Sequence, residues 1–399
     1  MKILVHDFSG HPFQVQLSRE LSRRGEDVVY SSCGAYVSGK GRLTAGPGET
    51  LTFQTVGDDI VFDKSSFVRR LFQELRLGVE LVRHVRTVRP DVALMSNVQV
   101  PTLVVFAAAM MLTRTPWVLW HQDVYSVAIR SFAGGKLSRS FGLVARAFEV
   151  AERWCSHRAA AVVVIAESFV PVHRRWGTAD KVTVIPNWAP LDEIVPLDRK
   201  NDWAVENELD DTLTLLYSGT LGLKHDPALL VSLAAEVRRA GRDVRLVVVN
   251  EGPAVGLLRA EAERRAVPIT LLPFQPYERL SEVLATGDVL VVLLDQQAGA
   301  FSVPSKTLSY LCAGRPVLGL MPCENVAADL VNRTGGGVFA PSELDIPAAG
   351  AWAAELLGDP ARRDQVGEAA RELAEGEFAM QVCADRFERV LRLTVEGAR

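Results

Sequence analysis

Short apolar runs alternate along the chain with amphipathic stretches, the pattern that builds parallel sheets with crossover helices. In the first half, 2–5, 28–31, 92–96, 117–120, 161–165 and 182–185 read as strands, and 13–24, 67–89, 102–112, 138–157 and 168–176 as helices. A polar stretch with Pro186, Pro190 and Pro196 and no clear period then runs to residue 211. After it the alternation restarts. Strands are predicted at 214–218, 244–249, 269–272, 289–293, 317–320 and 338–340, helices at 227–239, 255–265, 278–285, 306–313 and 327–332, and a helical tail at 348–399. The prediction is an α/β chain of two Rossmann-like doubly wound domains, 1–190 and 212–378, joined by a linker at 191–211. A last helix at 379–399 is expected to pack back on the first domain. Two such domains in tandem are expected to turn the carboxyl ends of both sheets toward one cleft, where folds of this kind bind ligands.

Composition narrows the class. At 399 residues the chain is too long for one ordinary core, and 48% apolar with 23% charged residues is a globular mixture. Cys33, Cys155, Cys312, Cys323 and Cys383 are odd in number, scattered, and form no Cys-x-x-Cys pair. That argues against a disulfide framework or zinc site and for a reducing, cytoplasmic setting. The longest apolar run, 103–112, is far short of a membrane span, and the opening Met1-Lys2-Ile3-Leu4-Val5 reads as a strand rather than a leader. Charge is uneven: residues 1–190 hold 23 Lys+Arg against 16 Asp+Glu, and the remainder 21 against 32. The excess gathers at 64–89, from Lys64 to Arg89, with seven basic residues opposed only by Glu74 and Glu80. This is either a solvated helix face or one that rests peripherally on anionic lipid or an acidic acceptor. Nucleic acid is disfavoured, because no stacking aromatics are interleaved.

Familiar nucleotide signatures are missing. The 34–40 stretch has phosphate-loop spacing, yet Gly41 stands where a hydroxyl would hold magnesium. No Gly-x-Gly-x-x-Gly follows the first strand, and no Asp-x-Asp occurs to anchor manganese, so no metal and no cofactor are expected. Two segments remain. Tyr217-Ser218-Gly219-Thr220-Leu221-Gly222-Leu223-Lys224 runs from a strand into a small-residue loop with a cation, which suits a diphosphate. Pro304-Ser305-Lys306-Thr307 opens a helix that ends in Gly314, and free amides, hydroxyls and an ammonium at a helix start form a phosphate site. Ordinary capping by Ser305 would need no neighbouring lysine. Trp117 and Trp120 read as core; His6 and His121, at strand ends, fit a core role and a functional one equally well.

These segments resemble glycosyltransferase family 4, of the two-domain GT-B fold, and especially its bacterial polysaccharide members. The resemblance runs from Asp7-Phe8-Ser9-Gly10-His11-Pro12 through Gln122-Asp123-Val124-Tyr125, Ile185-Pro186-Asn187-Trp188 and Ser218-Gly219-Thr220-Leu221-Gly222. It continues in Asn250-Glu251-Gly252-Pro253, Gly287-Asp288-Val289 and the 304–317 segment. It implies a metal-independent transfer of a hexose-type sugar, with retention, from a nucleotide-diphosphate sugar (UDP-sugar favoured) to an acceptor hydroxyl. The acceptor is a polyprenyl-linked saccharide or a soluble small molecule. By resemblance Gly10 lets the first loop approach the donor, Gly219, Thr220 and Lys224 lie at the diphosphate, and the Phe274 loop holds the base. Ser305, Lys306 and Thr307 contact phosphates, and Ser309 lies by the ribose. His11, His121 and Asp123 face acceptor and sugar, with Asp123 best suited to orient hydroxyls. Three places depart from the family. Phe301 and Ser309 stand where paired glutamates are frequent, Thr220 where an arginine is, and Gln122 where a histidine is, with His121 one place earlier. Because of these departures, a non-catalytic GT-B partner subunit and a nucleotide-sugar epimerase or hydrolase remain alternatives.

Overall fold

A computed structural model describes residues 1–34, 43–46, 49–62, 66–132, 139–221, 226–252, 254–296 and 305–398. The chain divides into two compact units, one of residues 1–187 with 380–399, the other of 188–379.

The first unit is a seven-stranded parallel sheet. Its elements are β1 (Lys2–Asp7), α1 (Pro12–Arg23), β2 (Asp27–Cys33), β3 (Thr52–Val56), α2 (Phe67–Val88), β4 (Val92–Ser96), α3 (Val100–Thr113) and β5 (Trp117–His121). Then come α4 (Tyr125–Phe132), α5 (Arg139–Arg158), β6 (Ala161–Val164), α6 (Val170–Trp176) and β7 (Val182–Val184). Strand order is β3-β2-β1-β4-β5-β6-β7, so the sheet reverses direction between β1 and β4. Strands β4 and β5 are buried at every position, as a parallel sheet covered on both faces requires. The sequence pattern missed β3. It is an edge strand whose Thr52, Gln54 and Thr55 are exposed, so its Thr-Phe-Gln-Thr-Val carries little apolar signal.

The second unit is a six-stranded parallel sheet in the order β10-β9-β8-β11-β12-β13. It runs α7 (Asp202–Glu206), β8 (Leu213–Ser218), α8 (Ala228–Arg239), β9 (Val244–Val249), α9 (Ala254–Arg265), β10 (Ile269–Leu272), α10 (Leu280–Ala285) and β11 (Val289–Leu293). It continues with α11 (Ser305–Cys312), β12 (Val317–Leu320), α12 (Val326–Arg333), β13 (Gly337–Phe339), α13 (Ile346–Leu357) and α14 (Pro360–Phe378). Its sheet reverses between β8 and β11. The stretch read as a linker, 191–211, differs from that reading: Ile194, Trp203 and Leu209 are buried in this unit's core. Arginines tie its backbone down. Arg199 donates to the carbonyls of Asp210 and Leu209, Arg315 to that of Leu197, and Arg371 to that of Ile194. Proline and charge give it the look of a tether, but its apolar residues are spaced to pack.

The helical tail consists of three helices. After α13 and α14, α15 (Met380–Glu396) belongs to the first unit, where it lies against α1, β4 and β5. Phe387 sits 4.5 Å from Trp120 between ring centres, and Arg24 pairs with Asp385 and Glu388 at 2.5 and 3.2 Å.

Candidate functional site

Ligands of doubly wound sheets bind beyond the carboxyl ends of the strands, at the reversal point. In the first unit that point is framed by the turn after β1. Gly10 there has φ +76°, a left-handed conformation that favours glycine. The fully buried Asp7 holds the turn. Its carboxylate accepts from the His11 amide, from Ser9 Oγ at 3.4 Å, from Tyr30 Oη at 3.2 Å and from Asn97 Nδ2 at 2.9 Å. Burial raises the Asp7 pKa, and the hydrogen bonds from His11 and Asn97 pull it back. Asn97 lies just past β4, so its bond to Asp7 bridges the two strands between which the sheet reverses. The result is an exposed His11 at the start of α1, stacked on Phe13 at 5.3 Å.

At the end of β5 the three residues His121, Gln122 and Asp123 have separate roles. His121 is buried, 3.2 Å from His173 and 3.7 Å from Glu152. His173 is held neutral, its pKa lowered to about 3 by burial and then by His121. Glu152 accepts from the amides of Tyr125 and Ser126 at 2.7 and 3.0 Å, so it caps α4, whose first turn has unpaired N–H groups. His121 thus touches the packing that fixes α4 and also lines the narrow pocket that holds Asp123. Gln122 exchanges two hydrogen bonds with Asn187, at 3.0 and 3.1 Å. Asp123 is exposed and lines a narrow pocket with Asn97, Gln122 and Tyr125.

In the second unit the counterpart lies after β8. A pocket of about 440 Å³ is lined by Tyr217, Gly219, Thr220, Leu284, Lys306 and Ser309, among others. Lys306, in the first turn of α11, lies with Nζ 3.6 Å from the centre of the Tyr217 ring, a cation–π arrangement. Gly219 has φ +132°, and a Cβ there would come within 2.8 Å of Lys306 Cε and 2.9 Å of Nζ. Conformation therefore favours glycine here, and a side chain would also displace the Lys306 amine. Burial lowers the Lys306 pKa to about 7. Tyr310 clamps the strand end: its hydroxyl accepts from Ser218 N at 2.8 Å and donates to Ser218 O at 3.1 Å. Tyr217 Oη donates to Thr220 O, and Asn250 Nδ2 donates to Gly219 O at 2.8 Å. Among the described residues, Thr307 Oγ1 and Asn250 Oδ1 are buried without a partner. Neither residue is part of the pocket lining.

Of the residues singled out from sequence, Gly219, Thr220, Lys306 and Ser309 share this pocket, and Thr307 adjoins Lys306 in α11. Phe274 is elsewhere, in the loop after β10, 45% exposed, its amide donating to Glu251. Lys224, Phe301 and 35–40 lie outside the described residues, as does the side chain of Ser305. Sequence reasoning missed Asp7, Tyr217 and Tyr310. The available signals were an aspartate closing a strand three residues before a glycine, and a tyrosine just ahead of Ser218-Gly219.

Residues 11–188 match the glycosyl transferase 4-like domain. Over these residues the chain is similar to that domain family. This domain is similar in extent to the contiguous part of the first unit. Over 178 residues the chain is 26% identical to WcaI of Escherichia coli, assigned to colanic acid biosynthesis as a glycosyl transferase, covering 43% of each. Over 189 residues it is 24% identical to the alpha-D-kanosaminyltransferase of Streptomyces kanamyceticus, covering 46% of each. The matches thus span less than half the length of these relatives. Among solved structures, Anabaena HepE in complex with UDP aligns with TM-score 0.71 and 14% identity, over 98% of this chain and all of that one. That likeness concerns the fold, which is GT-B.

Proposed function

We propose that the chain is a glycosyltransferase that moves a hexose-type sugar from a nucleotide-diphosphate sugar, UDP-sugar favoured, to an acceptor hydroxyl. The observation that carries this reading is the Lys306–Gly219–Tyr217 pocket. A diphosphate leaving group develops negative charge as the glycosidic bond to phosphate breaks, and a preorganised cation in a dry pocket stabilises that charge best. Lys306 supplies the cation, and the first turn of α11, in which it sits, supplies the positive end of a helix dipole. Gly219 keeps the loop low enough for phosphate oxygens to reach the amine. Lys224 and Ser305 would add to the same diphosphate, Ser309 would face the ribose, and the Phe274 loop the base.

In the first unit, Asp123 would orient an acceptor or sugar hydroxyl, and Gly10 with His11 would present the turn that Asp7 fixes. His121 serves as a positioning residue through Glu152. A lysine and a helix start can carry the leaving-group charge, which supports metal-independent transfer; retention of configuration rests on the family 4 likeness. The acceptor is a polyprenyl-linked saccharide, a reading in line with a relative named for colanic acid biosynthesis, or a soluble small molecule.

The test is thermal stabilisation by uridine, guanosine, adenosine and thymidine diphosphates and their sugars, with chelator present. Stabilisation by one base that is lost in Lys306→Met supports the donor site. No stabilisation by any of them overturns it in favour of a partner subunit, and sugar release without an acceptor would point to a hydrolase.

A further inference from the structure

The outer face of the first unit, built by α2, α3 and α5, carries more than a basic helix. On α2 the exposed residues Val68, Phe72 and Val79 fall on one stripe, interleaved with exposed Arg69, Arg76 and Arg83. Helix α5 repeats the device, with exposed Leu143 and Val150 alternating with exposed Arg146 and Arg153. Between them lies α3, which packs against both. It holds no charged residue and still turns Met111 and Leu112 outward, 51% and 82% exposed. A helix apolar all round is ordinarily buried. Seven of the nine large apolar residues exposed in the first unit, among those described, lie on these three helices.

Charge points to one kind of cover. The acids of the three helices are Glu74, Glu80, Glu149 and Glu152, of which Glu74 and Glu152 are buried. What faces out is arginine. Arg76 pairs with Asp59 and Arg83 with Glu80, but exposed pairs of this kind are worth only about 0–1 kcal/mol, so an anion of a partner can replace them. Arg158 lies 5.6 Å from the centre of the Trp154 ring on the same α5, an amphipathic pair suited to an interface between water and hydrocarbon. Among the described residues no helix is long and apolar enough to cross a membrane, so contact would be in the plane of the surface.

We propose that the α2–α3–α5 face docks the protein on an anionic lipid bilayer, with Phe72, Leu112 and Leu143 entering the headgroup region and the arginines meeting lipid phosphates. This inference does not depend on the donor pocket.

The full-length chain is sedimented with phosphatidylglycerol-containing vesicles and with phosphatidylcholine vesicles. Co-sedimentation with the first only, released by about 0.5 M salt, is the expected result. Arg76→Glu with Arg146→Glu should weaken it by about tenfold or more, since each basic residue contributes about 1 kcal/mol. Phe72→Ser with Leu112→Ser should weaken it while leaving the melting temperature and nucleotide binding unchanged. Equal binding to both vesicle types overturns the proposal, as does no binding to either. So would a concentration-dependent dimer in lipid-free solution that the serine pair dissolves, which would make a second copy the cover.

Discussion

Both sheets end in a polar site at the point where strand order reverses, yet the two sites have opposite character. After β1 and β4 the first unit buries a carboxyl group, Asp7, and spends it on holding its own turn and on tying that turn to Tyr30 and Asn97. After β8 the second unit places an amine, Lys306, in a pocket against the Tyr217 ring and Gly219, with Thr220 and Ser309 also in the lining. One layered architecture thus yields a closed hydrogen-bonded network in one unit and an open pocket built on an amine in the other. The residues placed in the turn beyond each strand decide which. A satisfied network rigidifies the fold; an open pocket leaves room for a ligand.

The contrast breaks most sharply at Gly219. Gly219→Val places a branched side chain against Lys306 at a left-handed φ, and nucleotide binding should become undetectable by calorimetry. Lys306→Met should cost about a hundredfold in diphosphate affinity, since hydrogen bonds to charged groups are worth about 1.5–3 kcal/mol and helix amides compensate little. The same substitution should raise the melting temperature of the unliganded protein, because it removes a buried amine. If both quantities fell, Lys306 would be structural. Asp7→Ala should behave oppositely, destabilising the protein by about 2–3 kcal/mol in urea unfolding with little effect on diphosphate binding, as Tyr30 and Asn97 lose their acceptor.

The next effect is graded by pH. With the Lys306 pKa lowered to about 7, the unliganded pocket is mostly uncharged above that value. Diphosphate favours the ammonium, so binding takes up a proton, and affinity should fall by about tenfold per pH unit above 7. Calorimetry of pyrophosphate binding in two buffers of different ionisation enthalpy reads the proton directly. The unfolded chain has the ordinary lysine value. The lowered pKa therefore opposes folding most below pH 7, and that penalty fades as pH rises toward 10.5. The smallest effect belongs to the Gln122–Asn187 pair: Gln122→Leu should cost about 1 kcal/mol of stability, one amide left unpaired.

Much of this was legible from residue order alone, and the reason is periodicity. Twelve strands stood out because parallel strands covered on both faces are continuous apolar runs, as in Val289-Leu290-Val291-Val292-Leu293. Strand β3 did not, because an edge strand has one dry face at most. The second-unit pocket was readable because a glycine, a lysine and a helix start are local features. The first-unit network was not, since Asp7, Tyr30 and Asn97 meet only through sheet pairing across 90 residues of sequence. For His121, residue order indicates a strand end but no direction. The structure gives it contacts with His173 and Glu152, both contributed by later helices, and a place in the lining of the Asp123 pocket.

The return of α15 to the first sheet also bears on how the polypeptide is made. A ribosome delivers Trp120 long before Phe387, so nascent β5 emerges with an aromatic surface that its own partner cannot yet cover. The intervening stretch, 188–379, is continuous and can mature as it appears, like an insertion inside an unfinished host. The earlier-synthesised unit is thereby the later to be completed, and a nascent chain arrested before residue 380 would present that exposed seam to chaperones.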